Sequence, residues 1–130
     1  MLFGGNPVSC AIGTEVLRVI RKESLQENAL ETGNYLKTEL KKMQKEFPII
    51  GDVSGRGLFL GIELTDSDLN PQTDKATYLA NRMKELGILM STDGKDMNVM
   101  KIKPPMVFFR RHADQLLEAS ALRDFLSKKW

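Results

Sequence analysis

Val8, Ile12, Val16, Val19 and Ile20 recur at intervals of three or four residues, the spacing of one buried helix face. Asn6-Pro7 in front of them is a start signal, since the Asn6 side chain can cap free amides and Pro7 suits a first turn that needs no donor. Glu23 ends that helix. Ser24-Leu25-Gln26-Glu27 then reads as a capping box for a second helix, which runs to about Phe47 and is stopped by Pro48. Its apolar stripe is Leu25, Ala29, Leu36, Leu40, Met43 and Phe47, while Lys37, Lys41, Lys42 and Lys45 keep the opposite side in water. After a turn at Gly51 the period changes to two. Leu58, Leu60, Ile62 and Leu64 alternate with Phe59, Gly61 and Glu63, which predicts a strand. Residues 65–74 are polar and contain Pro71, as a surface loop does. Thr73 or Asp74 caps a third helix bearing Ala76, Leu79, Ala80 and Met83, and Gly87 closes it. A short strand over 88–90, a Gly/Asp-rich turn over 91–98 and a strand over 99–103 follow, broken by Pro104-Pro105. The last helix, about 112–128, places Leu116, Leu117, Ala121, Phe125 and Leu126 on one side.

The order α, α, β, α, β, β, α predicts an α+β domain in two layers, about three strands with helices on one face. The 130 residues fit one domain, and 42% hydrophobic with 28% charged is the balance of an ordinary packed core. A net charge of +2 gives no case for nucleic acid or an anionic membrane surface, and no apolar run approaches the ~18 residues of a span. The single cysteine, Cys10, allows no internal disulfide and suits a reducing cytoplasm. Met1-Leu2-Phe3-Gly4-Gly5 has no charged leader and reads as an entry partway through a longer protein.

Few residues carry candidate chemistry. Gly4-Gly5-Asn6-Pro7 lets the backbone approach another group closely, and the helix behind it aims its positive end at that spot; an ordinary lead-in to a helix is the alternative. Gly55-Arg56-Gly57-Leu58-Phe59-Leu60-Gly61 has the wrong spacing for a dinucleotide loop and reads as a bend entering the sheet. Lys101 and Lys103 alternate with Ile102 and share one strand face, where two ammonium groups could hold a phosphate or carboxylate or could simply be solvated. His112 has no second ligand near it in sequence, so no metal site is expected.

Three segments, FGGNPVSCA at 3–11, GDVSGRGLFLGIEL at 51–64 and NVMKIKPPM at 98–106, together resemble class III aminotransferases of fold type I, and the resemblance covers essentially the whole chain as that family's C-terminal small domain. The third, with Ser91-Thr92-Asp93-Gly94, looks most like the ethanolamine-phosphate and phosphohydroxylysine phospho-lyases. The resemblance implies a homodimer dependent on pyridoxal 5′-phosphate (PLP), acting on a small amine or phosphorylated amine. It implies that Gly4, Gly5 and Asn6 lie at the subunit interface near the neighbouring cofactor, although Leu2 replaces the threonine that normally holds the cofactor phosphate. It makes Lys101 and Lys103 substrate-binding, with Lys101 standing where many members carry a carboxylate-binding arginine, and Ser54 where arginine is common. No lysine here matches the family's Schiff-base motif, so this chain is expected to carry no catalytic residue and to be inactive without its large domain. A free-standing α+β interaction module is the reading from a different class.

Overall fold

A computed structural model describes residues 5–130. Its elements are α1 (Pro7–Lys22), α2 (Leu25–Glu46), β1 (Ile50–Arg56), β2 (Phe59–Leu64), α3 (Thr73–Glu85), β3 (Ser91–Asp93), β4 (Val99–Ile102), α4 (Arg110–Glu118) and α5 (Ser120–Ser127). The strands pair antiparallel throughout in the order β1-β2-β4-β3. Val53, Leu60, Ile62, Leu64, Met100 and Ile102 point to one face of this sheet and are buried with Leu36, Leu40 and Met43 of α2, Leu79 and Met83 of α3, and Leu117 and Phe125 of α4 and α5. The α+β prediction holds, as a four-stranded sheet with its helices on one side.

The fourth strand is β1, where the sequence suggested only a turn at Gly51. A bulge between Ile50 and Asp52 inserts Gly51 and breaks the period of two, so buried Ile50 and Val53 stand three apart. A Cβ on Gly51 would come within 2.4 Å of the Thr65 hydroxyl. β1 and β2 are joined by the two-residue turn Gly57-Leu58, and Gly57 has the positive φ (56°) that a hairpin turn needs at its first central position. Gly33 on α2 sits against that turn, where a Cβ would lie 2.1 Å from the Gly57 carbonyl oxygen.

Other predictions need correction. The strand expected over 88–90 lies three residues later, at Ser91–Asp93, because it is those backbone groups that pair with β4; Leu89 is 83% exposed. The last helix breaks at Ala119, whose ψ of 123° is extended, into α4 and α5. Ser24 adopts left-handed φ/ψ and makes no side-chain cap, so the capping box does not form. α3 starts at Thr73 behind Gln72, without a side-chain cap. Its end is as expected: Ile88 donates to the Met83 carbonyl and Gly87 (φ 77°) to that of Lys84, the paired bonds of a Schellman motif. The face of α1 predicted to be buried is not. Val8, Ile12 and Val16 are exposed, Val19 and Ile20 half-buried, and no residue of the helix is buried.

Candidate functional site on the open sheet face

The sheet face turned away from the helices carries the polar chemistry. Lys101 lies between Ser91 on β3 and Gly61 on β2 in the register, and Gly61 in turn faces Ser54 on β1. The row is crowded at Gly61, where a Cβ would stand 2.9 Å from a Val99 methyl. Lys101 does project with Lys103 while Ile102 points into the core, as the alternation predicted. The two ammonium groups have different neighbours. Lys101 makes an ion pair with Asp93, two residues along β3 from its register partner Ser91, and its side chain keeps 31% of its exposure. Lys103, one residue beyond β4, holds its ammonium 5.9 Å from the centre of the Phe59 ring. The bond from Lys101, helped by one from the Gly94 amide, holds the Asp93 carboxyl below the ordinary aspartate value.

Asp93, Ser91 and Phe59 therefore belong to this face, although the sequence reading assigned none of them a role at the site. Residues 91–98 looked like a turn, and a strand of three residues leaves no periodic signal. His112, beside the Lys103 end of β4, serves its own helix: Nδ1 accepts a bond from the Phe109 amide at 2.9 Å. Among the described residues no three His, Cys, Asp or Glu side chains converge as a metal site would require.

Gly5 and Asn6 are the second candidate group; Gly4 lies outside the described residues. Asn6 caps α1 as predicted, its Oδ1 accepting from the Ser9 amide at 2.8 Å, with Pro7 in the first turn. Among the described residues α1 packs on α2 and meets no strand, so the structure does not bring Gly5 and Asn6 together with Lys101 and Lys103.

The model of the family described as aminotransferase class-III matches residues 2–122. The chain belongs to the class-III aminotransferase family. An alanine–glyoxylate aminotransferase 2-like protein of Drosophila melanogaster is 51% identical over 118 residues, 88% of this chain and 24% of the relative. An ethanolamine-phosphate phospho-lyase homolog of Caenorhabditis elegans is 42% identical over 110 residues, 82% of this chain and 23% of the relative. Among solved structures, a phospholyase from Arthrobacter in complex with phosphoethanolamine superimposes with a TM-score of 0.89 at 39% identity, covering 97% of this chain and 30% of that one. The chain thus spans about a quarter of the length of the curated relatives it matches. It is a class III aminotransferase-like domain, matching the C-terminal domain of a fold-type I enzyme, and a free-standing interaction module is not favoured.

Class III aminotransferases depend on PLP. The described residues at the start of α1 do not form a cradle for its phosphate. Pro7 supplies no amide and the Ser9 amide is taken by Asn6, which leaves the α1 terminus with a reduced donor set.

Proposed function

We propose that this chain is the C-terminal small domain of a longer, homodimeric, PLP-dependent phospho-lyase that eliminates phosphate from a phosphorylated amine. The observation that carries the reading is lysine at 101, with Lys103 on the same face, where many members of the family place a carboxylate-binding arginine. A guanidinium fork matches a planar carboxylate, whereas a compact ammonium suits phosphate equally well. The phosphoethanolamine in the Arthrobacter phospholyase and the phospho-lyase named among the curated relatives support the same choice. In this reading Lys101 and Lys103 hold the substrate phosphate, and Gly4, Gly5 and Asn6 approach the cofactor of the partner subunit. PLP, when bound, would supply the electron sink for an elimination in which a base of the longer protein takes the proton from the carbon bearing nitrogen, a C=C bond forms to the neighbouring carbon, and phosphate leaves that carbon with the C–O bonding electrons.

Asp93 tunes this site. Its carboxylate already neutralises Lys101, so an incoming phosphate competes with it. In the full-length enzyme, Asp93→Asn is expected to lower KM for the phosphorylated amine by roughly twofold to fivefold, the worth of a partly exposed pair. We place the protein in the cytoplasm, where a lone cysteine stays reduced, and assign it neither a nucleic-acid nor a membrane partner. Among the described residues no helix is long and apolar enough to cross a membrane. Recovery of the protein in a mitochondrial fraction would reverse the compartment; two relatives are named as mitochondrial.

Amino transfer is the second reading, favoured by the 51% identity to the fly aminotransferase-like protein. The two separate on one assay: the full-length enzyme with phosphoethanolamine and phosphohydroxylysine, following inorganic phosphate, beside amino donors with pyruvate or 2-oxoglutarate. Phosphate release is the expected result. Efficient transfer from an unphosphorylated donor, with no phosphate released, would leave the family standing and discard the phospho-lyase.

A further inference from the structure

We propose that Asn28 is a positioning residue for the phosphate of the substrate, acting through Lys103. The inference rests on the reading in which Lys101 and Lys103 hold that phosphate. The two lysines are not equally fixed. Lys101 belongs to β4, pairs with strands on both sides, and has its ammonium tied to Asp93. Lys103 lies one residue past the strand and is exposed, and among the described residues it has no ion-pair partner. From Lys103 the chain runs without helix or strand to Phe109, where α4 begins. A lysine on a loose segment must be ordered each time it binds, and that ordering cancels much of what its charge contributes. Lys103 therefore serves a phosphate only if the connection behind it is held.

Asn28 holds it. Half-buried on α2, its Nδ2 donates to the Met106 carbonyl at 3.1 Å and to the Phe108 carbonyl at 2.9 Å. Two carbonyls can be met only by donors, so the amide's orientation is settled by its partners. Its Oδ1 accepts from the Thr32 hydroxyl at 3.1 Å, one turn along α2, and Thr32 is buried. Both hydrogens and the oxygen of the amide are thus in use. Among the described residues no other side chain donates to the backbone of 103–108. The stapled piece is itself a turn, closed by the Phe108 amide on the Pro105 carbonyl at 3.0 Å. Between that turn and Lys103 stand Pro104 and Pro105. Each proline has a fixed φ, and the first also restricts Lys103 in front of it, so the link is stiff and carries the anchorage back to the lysine. The far side is secured to the same helix, since the Tyr35 hydroxyl of α2 donates to Asp114 of α4 at 2.5 Å.

The test is a double-mutant cycle in the full-length protein, read by calorimetric binding of inorganic phosphate and by KM and kcat for phosphoethanolamine. Asn28→Ala is expected to weaken phosphate binding roughly threefold to tenfold, as loss of one or two hydrogen bonds does, and to act on KM rather than kcat. In a Lys103→Ala background the same substitution is expected to change nothing further, whereas its effect adds in full to that of Lys101→Ala. Asn28→Asp keeps the size but sets an oxygen against two carbonyl oxygens, and is expected to bind phosphate no better than Asn28→Ala. Thr32→Val frees the amide to turn; it gives a smaller loss of the same pattern and carries the test where Asn28→Ala does not fold. An equal loss in the parent and Lys103→Ala backgrounds, or lowered stability with phosphate affinity unchanged, would overturn the inference and leave the lysine site standing. A Lys103→Ala protein that binds phosphate as tightly as the parent would remove the lysine reading, and the inference with it.

Discussion

Asp66 shows how much a single carboxylate organises where the chain has no regular structure. Its Oδ1 accepts from the Asp68 and Asn70 amides, both at 2.9 Å, and Oδ2 from the Asn70 side chain at 3.1 Å. These bonds, those of Asn70 foremost, favour the charged form and hold the Asp66 carboxyl below the ordinary 3.8. They also pull Leu69 into a left-handed conformation (φ 63°), which leucine adopts only when its surroundings over-determine it. A depressed carboxylate pKa contributes order that is present above the ordinary value and is lost as pH falls through the folded one. The 66–70 loop should therefore stay ordered at pH 5 and keep its order down to the ordinary aspartate value, losing it only as pH falls further, through the lowered folded one. An Asp66 carboxyl signal titrating with a midpoint at or above 3.8 by NMR would contradict this. Asp66→Asn removes the charge and should leave loop order indifferent to pH across the same range.

At the scale of elements, the hairpin and α2 depend on each other through contacts that glycines alone permit. Gly33→Ala puts a methyl 2.1 Å from the Gly57 carbonyl oxygen, a backbone atom with no rotamer to escape into. Despite alanine's better helix propensity, this substitution is expected to destabilise by ~1–3 kcal/mol, as overpacking does. A stabilised Gly33→Ala protein in urea denaturation would show that α2 sits further from the turn. Leu60, 3% exposed and opposite Ile102 in the register, tests the other side of the same contact. Leu60→Ala should cost ~2–5 kcal/mol, and a loss under ~0.5 kcal/mol would mean the wrong face of β2 meets the helices. The sequence made β2, α2 and α3 legible because one period persists through each and Pro48 and Gly87 close the two helices. It hid β1 because a bulge and two glycines erase the alternation. It displaced β3 because strand pairing is decided by backbone bonds to β4, not by the apolar run at 88–90. On the site face Lys101 and Lys103 were readable from alternation. Asp93 was not, since a partner across a strand pair leaves no local trace in the chain.

For the whole molecule the question is which part of a PLP enzyme's work this domain can do alone. A domain of one sheet and its helices can bind and orient. Among the described residues, the Asn6-capped end of α1 and the two lysines of the open sheet face do not meet. Holding PLP covalently needs a lysine whose amine is tuned by surrounding groups. Lys101 is occupied by Asp93, Lys37 and Lys42 by the Gly55 carbonyl and Glu39, and Lys128 by Tyr78. Each of these sits at an exposed or half-exposed position, and no lysine of the chain matches the family's Schiff-base motif. The 130-residue chain expressed by itself is therefore expected to give no lysine-linked PLP absorbance after gel filtration and no turnover of phosphoethanolamine. The full-length protein is expected to give both. A stoichiometric band in the short chain, abolished by replacing one lysine, would show that the domain carries its own cofactor site. A full-length protein lacking the band would instead remove PLP chemistry from the proposal and leave the sheet face as a phosphate-binding surface only.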